Sequence, residues 1–64
     1  MKFKLYKYVK LNTDLPIKEL KEGTELIPVE YLDEDDTLEP AYICETVDGS
    51  NKTYTILEKY LTNI

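Results

Sequence analysis

Apolar and polar positions alternate over most of this chain, and the alternation predicts short strands. Residues 2–11 read KFKLYKYVKL. Phe3, Leu5, Val9 and Leu11 fall on one face of an extended segment, with Lys2, Lys4, Tyr6, Tyr8 and Lys10 on the other. Lys7 interrupts the apolar face and predicts a bulge or a strand end there. In NTDLPIKELKEG (12–23), Thr13 or Asp14 suits a cap, Pro16 a first helical position and Gly23 an end. A short helical turn is predicted near 15–22, with Ile17 and Leu20 pointing inward together. TELIPVEYL (24–32) alternates at Ile27, Val29 and Tyr31 around Pro28. Proline cannot donate to a ladder, so this strand lies at an edge or bends at Pro28.

The second half repeats the theme. AYICETV (41–47) is a strand with Ala41, Ile43 and Val47 on one side and Tyr42, Cys44 and Thr46 on the other. Asp48-Gly49, followed by Ser50-Asn51, signals a hairpin turn, and KTYTIL (52–57) supplies the β-branched return strand. In EKYLTNI the spacing of Leu57, Leu61 and Ile64 predicts a helical turn near 57–62, laid back on the core. The sum is a mainly β fold of four or five antiparallel strands, and a small bent barrel is the most economical way to bury them.

The hairpin, the strand KTYTIL, the turn EKYL and the final TNI resemble the end of a Src-homology-3-like barrel. GTELIPVEY and the acidic loop after it resemble that fold's second strand and following loop. The resemblance spans residues 23–64 and implies architecture. Leu5-Tyr6-Lys7-Tyr8 stands nearest the first motif of the peptide-binding members, and Tyr60 near their final Tyr. Trp is absent, and Lys59 precedes Tyr60 where those members carry proline. The resemblance therefore does not extend to recognition of proline-rich peptides.

Size and charge narrow the function. Sixty-four residues form one domain that buries only about 60% of its unfolded surface, leaving no room for a cleft between domains. The net charge is −5, which opposes nucleic-acid backbones and anionic membranes. It is also segregated. Ten acidic residues and no basic one lie from Glu22 to Asp48, whereas Lys2, Lys4, Lys7 and Lys10 precede the first acid, Asp14. A single cysteine, Cys44, suits a reducing cytoplasm, and no segment reads as a signal peptide or membrane helix. Asn51-Lys52-Thr53 matches a glycosylation pattern that has no meaning without secretion. Every basic residue is Lys, a bias associated with AT-rich coding in bacteria and their phages.

Candidate chemistry is sparse. A calcium loop begun at Asp33 would place Asp35, Thr37, Leu38 and Cys44 at its positions 3, 5, 6 and 12, so the required Gly and Glu are both missing. With no His, no Arg and no nucleophile motif, no catalytic residue, metal or cofactor is expected. Cys44 reads as a small buried apolar side chain.

The leading expectation is a non-enzymatic protein-binding module, of the kind a phage encodes to inhibit or regulate a bacterial protein in the host cytoplasm. Glu22 and Glu25 join its acidic region, and its contact residues are Glu30, Asp33, Glu34, Asp35, Asp36 and Glu39. They would meet a partner's Lys/Arg-rich, nucleic-acid-binding surface. Two alternatives stand beside it. Lys4, Tyr6, Tyr8, Lys10 and Tyr60 interleave charge and aromatic rings as single-strand binders do, although the acidic total opposes nucleic acid. A structural subunit is the other, since homo-oligomerisation strengthens so small a core.

Overall fold

The computed structural model describes residues 2–33 and 39–64. Its elements run β1 (Val9–Leu11), a 3₁₀ turn (Pro16–Lys18), β2 (Glu25–Leu32), β3 (Ala41–Thr46), β4 (Thr53–Leu57), a second 3₁₀ turn (Glu58–Tyr60) and β5 (Leu61–Asn63). They form one antiparallel sheet in the order β4-β3-β2-β1-β5. The mainly β reading of four or five antiparallel strands holds, with five observed, and both helical turns fall where the spacing set them, each as a single 3₁₀ turn. The sheet is not closed into a barrel. β4 and β5 are its outer strands, joined through the Glu58–Tyr60 turn but not hydrogen-bonded to each other. No described helix is long and apolar enough to cross a membrane.

The core is one cluster: Phe3, Val9, Leu11, Leu20, Leu26, Tyr42, Cys44, Ile56 and Leu61. Each strand contributes alternate residues, as a sheet with one buried face requires. Tyr42 is central. Phe3 meets its ring edge-on at 5.8 Å, and Tyr31 tilts against it at 5.1 Å. Its hydroxyl accepts the backbone N–H groups of Phe3 (2.9 Å) and Lys2 (3.0 Å) and donates to Glu58 Oε2 (2.7 Å).

The proline in β2 reconciles a central strand with a missing donor. Leu11 N–H bonds to the Thr24 carbonyl and Gly23 N–H to the Leu11 carbonyl. By alternation, Leu26 and Pro28 also turn their backbone groups toward β1. β1 ends at Val9, opposite Leu26, so Pro28 sits where β2 has outrun its neighbour. Only its carbonyl is used there, accepting Tyr6 N–H at 2.7 Å. β2 is thus an edge locally and central elsewhere. A bulge between Pro28 and Glu30 shifts the register against β3.

That bulge sets which β2 residues share a face. Leu26 and Pro28 are buried, while Ile27 and Val29 are only half-buried. The extra residue reverses parity, so Tyr31, and not Glu30, returns to the core. Three expectations change. Residues 2–8 are not strand. The chain turns at Leu5-Tyr6, with Tyr6 at φ 65°, so the ten-residue Lys–Tyr face does not exist as one surface. Ile17 is fully exposed instead of packing beside Leu20. Leu15 and Leu20 exchange backbone bonds (2.8 and 3.1 Å), pinching residues 16–19 into a tip that points away from the core. At the other end, Leu61 is buried but begins β5, and Ile64 is exposed.

Candidate interaction surface

Residues directly opposite in an antiparallel ladder share a face. The outer face therefore reads as three rows. Thr55, Ile43 and Glu30 lie side by side across β4, β3 and β2. Thr53, Glu45 and Ile27 form the next row. Glu25, Lys10 and Thr62 continue it across β2, β1 and β5. Three exposed carboxylates, Glu25, Glu30 and Glu45, thus surround two half-buried isoleucines on the central strands. This is an apolar strip with an acidic border on a rigid ladder.

Asp33 follows at the exposed end of β2, and exposed Glu39 precedes β3. Glu39 pairs with Lys59 at 3.2 Å. Both partners are solvated, so the pair contributes little to stability. Glu34, Asp35 and Asp36 lie outside the described residues. Of the expected acidic contacts, the structure joins Glu30 to a face also formed by Glu25 and Glu45. Glu45 escaped the sequence reading as a contact because it stands alone on a strand, between Cys44 and Thr46. Strand alternation across from Ile27 is the signal that finds it.

The acidic border continues around one end of the sheet. A shallow cleft of about 370 Å³ opens between residues 19–25 and the β3–β4 loop, bordered by Glu19, Glu25 and Asp48 with one cation, Lys52. The loop is held by its own hydrogen bonds. Asp48 Oδ1 accepts Ser50 N–H at 2.9 Å, Thr46 and Ser50 hydroxyls meet at 2.8 Å, and Gly49 takes φ 85°. The Ser50 N–H, aided by the Ser50 and Thr46 hydroxyls, holds the Asp48 carboxyl below the usual carboxylate range. It stays ionised in neutral solution.

The Lys–Tyr residues are dispersed. Lys10 lies on the outer face beside Glu25. Tyr6 and Tyr8 are exposed on the irregular stretch before β1, as is Lys4. Tyr60 is half-buried against the core in the second 3₁₀ turn, with Lys59 Nζ 5.4 Å from its ring centre. No group of His, Cys, Asp and Glu among the described residues has the spacing to hold a metal ion.

Cys44 is fully buried, and desolvation pushes its thiol up to about 12 from an ordinary 9.0. The folded chain keeps the thiol proton where the unfolded chain loses it. Stability from this group is therefore complete below pH 9.0 and declines as pH rises toward about 12. Urea denaturation at stepped alkaline pH should show a slope in wild type that is steeper than in Cys44→Ala by up to about 1.4 kcal/mol per pH unit. Equal slopes would mean that the thiol ionises in place.

No protein-family model matches the chain, and neither a curated protein nor a solved structure matches it.

Proposed function

We propose that this chain is a small, non-enzymatic protein-binding module of Src-homology-3-like architecture that docks a Lys/Arg-rich protein surface on its outer sheet face. The observation that carries the reading is the grid of Glu25, Glu30 and Glu45 around Ile27 and Ile43. Interfaces of this kind combine apolar anchors, which exclude water, with charges that steer and select the partner. The acidic cleft beside Glu25 suits a basic side chain at the rim. The architectural half of the proposal is supported by the end of the chain. The β3–β4 hairpin is followed by a 3₁₀ turn and a short last strand, as the resemblance implies. In its sharper form the module is a phage-encoded inhibitor that covers a nucleic-acid-binding surface of a bacterial protein.

Immobilised wild-type protein is expected to retain a Lys/Arg-rich protein from bacterial lysate at low salt and release it at high salt. Glu25→Lys, Glu30→Lys and Glu45→Lys together are expected to weaken the captured pair at least tenfold, about 1.4 kcal/mol. Tyr6→Ala with Tyr8→Ala should leave it unchanged. Failure to retain any basic protein at low salt, with the fold intact by circular dichroism, removes the proposal.

A further inference from the structure

β4 is an outer strand of the sheet, with one unpaired edge. Thr46 N–H bonds to the Lys52 carbonyl, which fixes the parity of the β3–β4 ladder. Bonded and unbonded pairs alternate, so Tyr54 and Ile56 bond to β3 while Thr53, Thr55 and Leu57 aim their backbone groups outward. β4 has no second neighbour. None of the amide N–H groups of Thr53, Thr55 and Leu57 donates to a partner among the described residues.

Soluble proteins blunt such edges with proline, inward charge, bulges or short strands. β5 follows that rule with three residues. β4 follows none of it. Its five residues, TYTIL, contain no charge and no proline, and they pair with β3 in one unbroken register.

We propose that β4 pairs with β4 of a second copy, antiparallel and centred on Thr55, joining two sheets across a two-fold axis. The sequence is complementary to itself in this register. Thr55 faces Thr55, and each residue exchanges its N–H and carbonyl with the other. Thr53 faces Leu57, whose N–H reaches the Thr53 carbonyl. Tyr54 faces Ile56 on the core side. One residue further out, Lys52 of each copy comes beside the start of the other's 3₁₀ turn, where the Glu58 carboxylate, held through Oε2 by the Tyr42 hydroxyl and Lys2 N–H, sets an opposite charge at both ends. A one-step shift in either direction loses the Lys–Glu match. The contact is isologous and self-terminating, so it yields a dimer and not a fibre.

Sedimentation equilibrium over a concentration series is expected to show twice the 7.5 kDa chain mass at high concentration. The Thr55 and Leu57 amides should gain hydrogen-exchange protection along the same series. Thr55→Lys opposes two like charges across the axis and, because Thr55 is exposed, leaves the monomer's fold unchanged by circular dichroism. It is expected to sediment as a monomer. A wild-type monomer at every accessible concentration overturns the proposal. So does a dimer that survives Thr55→Lys without protection at Thr55, which places the contact elsewhere. Protection of Thr55 only when a lysate-derived partner is added also overturns it, by giving the edge to a foreign strand.

Discussion

Leu26→Ala is expected to leave the chain largely unfolded at room temperature. Leu26 is fully buried at the crossing of three strands, opposite Val9 on β1 and Thr46 on β3. Truncating a buried leucine removes about 2–5 kcal/mol, the range reflecting how far neighbours collapse into the space. Collapse is restricted here. The neighbouring backbone is held on both sides by ladders, and the bulge at Pro28/Glu30 already fixes the local twist. A domain of this length has roughly 3–10 kcal/mol in total, from about 0.05–0.15 kcal/mol per residue. The loss is comparable with the whole. Loss of far-UV β signal and of a cooperative urea transition is the expected readout. A cooperative transition displaced by less than about 1 kcal/mol would show that Leu26 is not the centre of the core.

Tyr42→Phe is expected to destabilise by about 1–3 kcal/mol, because a buried donor loses its partner. The ring and its contacts with Phe3 and Tyr31 remain. Only the hydroxyl goes, and with it the acceptor for Phe3 N–H, which is buried. Lys2 N–H retains Glu58 Oε2 at 3.1 Å. The melting temperature should fall by roughly 4–8 °C per kcal/mol for a domain of this size. Amide exchange should accelerate at Phe3 far more than within β3. Uniform acceleration would mean that the substitution weakens the sheet as a whole and not the docking of the first residues. Burial raises the Tyr42 phenol, the Phe3 N–H works against that rise, and the Glu58 carboxylate adds to it. The hydroxyl therefore stays protonated, as its donation to Glu58 requires.

The strands from Ala41 onward were legible because alternation, turn chemistry and β-branched residues agree there. Asp48-Gly49 marks the loop, and Thr53–Leu57 returns as expected. The errors cluster where a single residue resets the pattern. Period-2 counting cannot place a bulge, so the alternation of Ile27, Val29 and Tyr31 did not show that Leu26, Pro28 and Tyr31 face the core. Residues 2–8 alternate well, yet Tyr6 adopts positive φ because its N–H finds the Pro28 carbonyl. That partner is far away in sequence. The acidic surface was legible as composition. Its arrangement was not, since the pairing of Glu45 with Ile27 and of Glu30 with Ile43 depends on that same bulge.

The position of β1 separates the order of synthesis from the order of assembly. β2, β3 and β4 are consecutive neighbours and close through short loops, so they can form as soon as they exist. β1 is made before them, but one of its two ladders is with Leu61–Asn63. Bringing Val9 to Asn63 closes nearly the whole chain into a loop, the slowest kind of contact to reach. Until then Val9 and Leu11 lack half their packing, and the Phe3–Tyr42 contact has only part of its frame. The first strand of this sheet to be synthesised is thus among the last to be secured. Until residues 61–63 arrive, the nascent chain presents β1 as an edge that the finished protein covers.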